Sequence, residues 1–143
     1  MELALALARE AGEDGEAPVG CVIVKNDVVI GRGRNRREKL NNALGHAEIE
    51  AINEACTSLK SWRLSGCSLF VTLEPCPMCA GAIINARLDV VCFGARDLKG
   101  GACGGVLNLF EEGFNHRPRV YGGIMESECG SVLSGFFGQL RQR

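Results

Sequence analysis

Leu69-Phe70-Val71-Thr72-Leu73-Glu74-Pro75-Cys76-Pro77-Met78-Cys79-Ala80-Gly81-Ala82-Ile83-Ile84 is the stretch on which the reading of this chain turns. Its first five residues form a compact apolar run, as a buried strand does, and Glu74-Pro75 closes it. Pro77 suits the first turn of a helix, and the small and apolar residues 80–84 continue one that packs closely. A second apolar run, Val90-Val91-Cys92-Phe93, follows at once. Strand, helix and strand in that order argue an α/β layered sheet.

Upstream, residues 46–56 carry Ala47, Ile49, Ala51, Ile52 and Ala55 at helical spacing, with Glu50 and Glu54 on the wet side and His46-Ala47-Glu48 at the head. Residues 19–24 and 28–30 are short apolar runs separated by Asn26-Asp27, which reads as a β-hairpin. Leu3, Leu7 and Ala11 mark a first helix over residues 2–12, and Glu13-Asp14-Gly15-Glu16 reads as a solvated connection. Downstream, residues 94–105 are glycine-rich and predict a mobile or specially shaped loop, with no Gly-Lys-Ser or Gly-Lys-Thr to make it a P-loop. A short helical piece near residues 106–110, a strand near 119–121 and a final helix over about 126–140 complete the chain.

With 143 residues the chain is read as one domain, 1–143, large enough to bury a core without a metal as its main support. A metal is then expected to serve chemistry. The net charge of −1 excludes the global basic field of a general nucleic-acid coat protein, so contact with nucleic acid has to be local. Eight cysteines lie scattered among apolar, helical and loop segments, which suits reduced thiols and a cytoplasmic location. Glu2 and Arg9-Glu10 argue against a signal peptide, and no apolar run approaches the ~18 residues of a membrane span, so no membrane partner is expected.

Residues 31–45 hold Arg32, Arg34, Arg36, Arg37 and Lys39 around Asn35. Two readings stand: a solvated strand end and loop, or a local phosphate-contacting patch. Phe136-Phe137 taken alone reads as core, His116 as a structural hydrogen-bonder, and Cys103 as a thiol that a closed, structural site would need as a fourth ligand.

Cys76 and Cys79 open a helix, whose free N–H groups favour thiolate. A redox dithiol would have the same setting, but it needs neither His46 nor Glu48. His46, Cys76 and Cys79 supply three zinc ligands and leave one position for water, with Glu48 as the group that moves protons. Residues two apart in mid-helix point about 200° apart. In the first turn, His46 and Glu48 can both lean over the helix end.

His46-Ala47-Glu48 with Glu74-Pro75-Cys76-Pro77-Met78-Cys79 resembles the known H-x-E and P-C-x-x-C signature of zinc-dependent nucleoside and base deaminases. Within that superfamily the chain is similar to the bacterial tRNA-specific adenosine deaminases. The likeness runs through Ala17-Pro18-Val19-Gly20, Phe93-Gly94-Ala95-Arg96-Asp97, Lys99-Gly100 and Asn115-His116-Arg117, nearly the whole chain. The resemblance implies a three-layer α/β/α cytidine-deaminase-like fold around a mixed sheet of about five strands. It also implies one Zn2+ per chain on His46, Cys76 and Cys79, and proton transfer by Glu48. The reaction it implies converts adenosine to inosine at the first anticodon position of a transfer RNA. Asn35 and the Ala47 backbone would meet the base; Asp97 and Lys99 would lie beside neighbouring nucleotides, and Phe137 and Arg141 would contact the anticodon stem-loop. Family members are homodimers.

Three departures accompany the likeness. Asn42-Ala43-Leu44-Gly45 replaces the Asp-Pro-Thr-Ala of many relatives, the chain starts inside what is a longer first helix in them, and Cys103 with extra glycines alters the loop after Asp97. A guanine deaminase acting on the free base shares much of the signature. A riboflavin-pathway deaminase would space its second cysteine pair more widely, and a cytidine deaminase usually has Cys in place of His46. A non-catalytic RNA-binding partner subunit would typically lack Glu48.

Overall fold

The structure is a computed structural model and describes residues 1–142. Helix α1 (Glu2–Glu13) leads to a hairpin of β1 (Gly20–Lys25) and β2 (Val28–Arg34). Then come α2 (Ala47–Leu59), β3 (Ser68–Leu73), α3 (Pro77–Ala86), β4 (Val90–Ala95), a 3-10 turn (Leu109–Glu111), β5 (Arg119–Tyr121) and α4 (Glu126–Arg141). The five strands form one mixed sheet in the order β2-β1-β3-β4-β5. β1 is antiparallel to both β2 and β3, whereas β3, β4 and β5 run parallel.

Asn26 and Asp27 have φ of 49° and 64°, the paired left-handed conformation of the two-residue turn whose twist suits a hairpin. β2 extends to Arg34, beyond the end predicted at residue 30. Gly31 and Gly33, which look like strand breakers in sequence, face α2. A Cβ on Gly31 would strike the Ala51 carbonyl oxygen, and one on Gly33 that of Ala47. With Ala47, Ala51 and Ala55 fully buried opposite them, the seam brings helix backbone against strand backbone. It fixes the height of the α2 N-terminus above the sheet.

Helices α2 and α3 cover one face of the sheet, where Cys21, Ile23, Leu69, Val71, Val91 and Phe93 meet Ala51, Ala55, Ala80 and Ile83 in the main core. α1 and α4 cover the other, around Leu5 and Cys129. These are the expected three layers. The C-terminal end of β3 and the N-termini of α2 and α3 converge at one rim of the sheet. Glu16, predicted to be solvated, is instead 1 % exposed, and its carboxylate accepts from the Glu38 and Lys39 amides at 3.0 and 2.8 Å. The correction has a simple cause: those amides are about twenty residues away in sequence, so no local pattern announces them.

Candidate active site

Two helix starts face each other at this rim. His46 is the N-cap of α2, with extended backbone (φ −88°, ψ 151°), and Cys76 is the N-cap of α3 (φ −75°, ψ 173°), followed by Pro77 in the first turn. Neither N-cap side chain caps its own helix, and the positive dipole ends of both helices point at the site.

His46 Nδ1 lies 3.6 Å from Cys76 Sγ and 3.6 Å from Cys79 Sγ. A tetrahedral ion bonded at about 2.3 Å to sulfur and about 2.0–2.1 Å to nitrogen separates such donors by about 3.6 Å. The three donor atoms lie within 4.8 Å of one another, so the donor set fits zinc in both chemistry and span. Contact with the Cys79 thiol, then with His46, pushes Cys76 down to about 4, while the same contact and burial push Cys79 up. A hydrogen bond with Cys76 raises His46.

Glu48 stands apart from this donor group. It is 4 % exposed, and burial raises its carboxyl to about 7. Together with His46 and Cys76 it lines a cavity of about 270 Å³. Asn35, the fully buried Ala47 and Asp97 line the same cavity. The Asn35 amide is held at both ends: Nδ2 donates to the Ala17 carbonyl at 3.2 Å, and Oδ1 accepts from the Arg37 amide at 3.1 Å. One N–H and one lone pair remain for a ligand.

The other expected contacts lie outside this cavity. Lys99, Phe137 and Arg141 border an adjoining groove of about 750 Å³, which shares Ala17, Val19, Leu73 and Asp97 with it. Arg96 lines that groove too. Phe137, read as core from its neighbours, is 42 % exposed and packs edge-on against Phe136 at 5.3 Å. The terminal helix has a single fully buried residue, Cys129, so the second aromatic finds no core to enter.

Glu74 was not expected as a structural centre. The carboxylate is 2 % exposed; Oε1 accepts from the Asp97 amide at 3.0 Å, and Oε2 from the Cys103 and Gly105 amides at 2.9 and 2.8 Å. The glycine-rich loop is therefore specially shaped, clamped by one acid at both ends. Asp97 Oδ1 in turn accepts from the Lys99 and Gly100 amides at 3.0 Å. Cys103 is buried, its thiol is pushed up to about 12 by desolvation, and it lies outside the donor cluster. His116 donates from Nε2 to the Leu88 carbonyl at 2.7 Å, a structural bond. A separate groove of about 610 Å³ beside β5 is lined by neither Glu48 nor any of the three donors.

The model of the MafB19-like deaminases matches residues 1–141. The chain is 49 % identical over 144 residues to a tRNA-specific adenosine deaminase of Bacillus subtilis (strain 168), covering 100 % of this chain and 89 % of that protein. It is 47 % identical over 142 residues to one of Agrobacterium fabrum, covering 99 % and 93 %. A solved structure from studies of A-to-I editing by tRNA:A34 deaminases at the wobble position superposes with a TM-score of 0.88 at 48 % identity, covering 93 % of this chain and 97 % of that one. A guanine deaminase from Nitrosomonas europaea shares the fold, with a TM-score of 0.84 at 22 % identity over 96 % and 82 % of the two chains.

Proposed function

This chain belongs to the MafB19-like deaminase family, and we propose that it converts adenosine to inosine at the wobble position of a transfer RNA. The observation that carries the reading is a buried proton carrier, Glu48, facing the same cavity as the His46, Cys76 and Cys79 donors, with that cavity opening onto a groove edged by Arg96, Lys99, Phe137 and Arg141. His46, Cys76 and Cys79 would hold one zinc ion. Bound there, zinc supplies Lewis-acid activation of a water, bringing its pKa to about 7.

The chain's own residues do the rest. The Glu48 carboxylate takes a proton from the attacking water and delivers it to the purine ring nitrogen; the second proton goes to the departing amine. Water and adenosine thus become inosine and ammonia. Burial raises the Glu48 carboxyl, which favours its holding the proton between the two transfers. Asn35 orients the base with its remaining donor and acceptor, and Ala47 presents backbone to it. Asp97 and Lys99 border the neighbouring nucleotides, and Phe137 offers a stacking face beside Arg141. The homodimer implied by the family and a cytoplasmic location, where transfer RNA is found, belong to the same proposal. Sedimentation of the purified chain measures the dimer.

The test incubates the purified protein with an anticodon stem-loop carrying adenosine at the first anticodon position and, in parallel, with free guanine. Inosine in the RNA is the expected product. Xanthine alone would show a guanine deaminase, and no product with full RNA binding would show a non-catalytic partner subunit.

A further inference from the structure

Five basic side chains crowd residues 32–39, and carboxylates neutralise four of them. Arg32 faces Glu54 at 4.0 Å, Arg34 meets Glu10 at 2.8 Å and Asp14 at 3.1 Å, Arg36 meets Glu50 at 3.2 Å, and Lys39 reaches Asp14 at 3.7 Å. Arg32, Arg34 and Arg36 border a separate groove together with Glu10, Glu50 and Glu54. For most of the run, then, the charge is taken up by the protein's own carboxylates and is not free for a phosphate.

Arg37 differs in three ways. Among the described residues it has no carboxylate partner within 4.0 Å. Within this basic run it alone lines the catalytic cavity. Its backbone is also held on both sides: its own amide donates to Asn35 Oδ1, and the next two amides donate to the buried Glu16 carboxylate. A charged fork thus projects from a fixed root at the mouth of the cavity, tied to the side chain that would orient the base.

The cavity walls make this charge useful. Glu48, Glu74 and Asp97 all line the cavity, and a polyanionic strand entering there meets their repulsion. A guanidinium binds a phosphodiester with two parallel N–H bonds, which both offsets that repulsion and sets the approach angle. We propose that Arg37 binds a phosphodiester flanking the target nucleoside and thereby makes the site select a nucleotide within a strand over a free base or nucleoside. The assignment rests on the RNA-deaminase reading above and names a specificity residue for it. Arg37 is exposed, so its replacement is expected to leave folding intact, which an unchanged melting temperature of Arg37→Gln checks.

The test is a cycle between protein and RNA. Wild type and Arg37→Gln are assayed on the stem-loop with all natural linkages, and on two versions that carry one neutral methylphosphonate, either 5′ or 3′ of the target adenosine. Arg37→Gln is expected to lower kcat/KM on the natural stem-loop by about tenfold or more, the loss of a charge-assisted bond. One of the two methylphosphonates should lower the wild-type value by a similar factor and cost the variant nothing further. Arg37→Gln should also flatten the slope of log affinity against log salt by about 0.7, one phosphate contact on a single strand. Arg37→Lys, which keeps the charge without the fork, should recover part of the loss. Independent, multiplicative losses at both linkages, or full activity of Arg37→Gln, would overturn the assignment. If wild type forms no inosine in the natural stem-loop, the RNA-deaminase reading itself fails, and this assignment with it.

Discussion

Burial raises the Glu48 carboxyl from its ordinary 4.5 to about 7 because its charged form is cut off from water in the first turn of α2. The sign of the stability effect follows. In metal-stripped protein the fold favours protonated Glu48, so the neutral carboxyl is tolerated fully below about 4.5, and the advantage is lost as pH rises through 7. Relative to Glu48→Gln, metal-stripped wild type should lose about 3 kcal/mol of stability over that window. Urea melts of both proteins across pH measure it, and parallel curves would refute it. With metal bound, Glu48→Ala should keep zinc but lower kcat by at least about a hundredfold. Metal analysis decides the roles, since zinc loss in this variant would make Glu48 a ligand. At this scale the sequence is generous: His46, Glu48, Cys76 and Cys79 sit within two short spacings, and spacing at a helix start determines geometry. Glu74 and Glu16 carry no such mark, because their partner amides lie 22–31 residues away.

At the scale of elements, the helices and the parallel strands were legible from apolar periodicity, whereas the end of β2 was not. Glycine weakens a strand by propensity, and only the close approach of α2 explains why Gly31 and Gly33 belong to one. Gly33→Ala should therefore destabilise by about 1–3 kcal/mol through overpacking. Because α2 carries His46, the same change should also weaken zinc affinity, which a competitive chelator titration reads; an unchanged melting point would discount the seam. The glycine-rich loop follows the same logic through Glu74, which offers acceptors only. Glu74→Gln must turn a donor toward at least one of the Asp97, Cys103 and Gly105 amides. The expected result is faster hydrogen exchange across residues 97–105, with a stability loss of about 1–3 kcal/mol. Exchange at the wild-type rate would mean the loop holds its shape without the clamp.

For the molecule as a whole, the alternation of strands and helices announced an α/β layered sheet, while the three layers and the mixed strand directions were legible only through the family resemblance. The two helical layers bury their residues mainly against the sheet, and the three metal donors sit at its rim. Removing the metal should accordingly abolish turnover while leaving a folded α/β circular dichroism spectrum and a cooperative, lowered thermal transition. A metal-free chain with an unfolded spectrum would place the metal among the supports of the fold.

The strand order also bears on how the protein is made. After the β1–β2 hairpin, β3 joins the free edge of β1, β4 that of β3 and β5 that of β4. The sheet can therefore grow in the order in which the ribosome releases the chain. Cys76 follows His46 by 30 residues, so a nascent chain ending at β3 offers one of the three donors, and the set is complete only once Cys79 has emerged. The β1–β2 hairpin and β3 thus precede the complete donor set while β4, β5 and α4 follow it, so a metal can join the chain when only part of the sheet has been made.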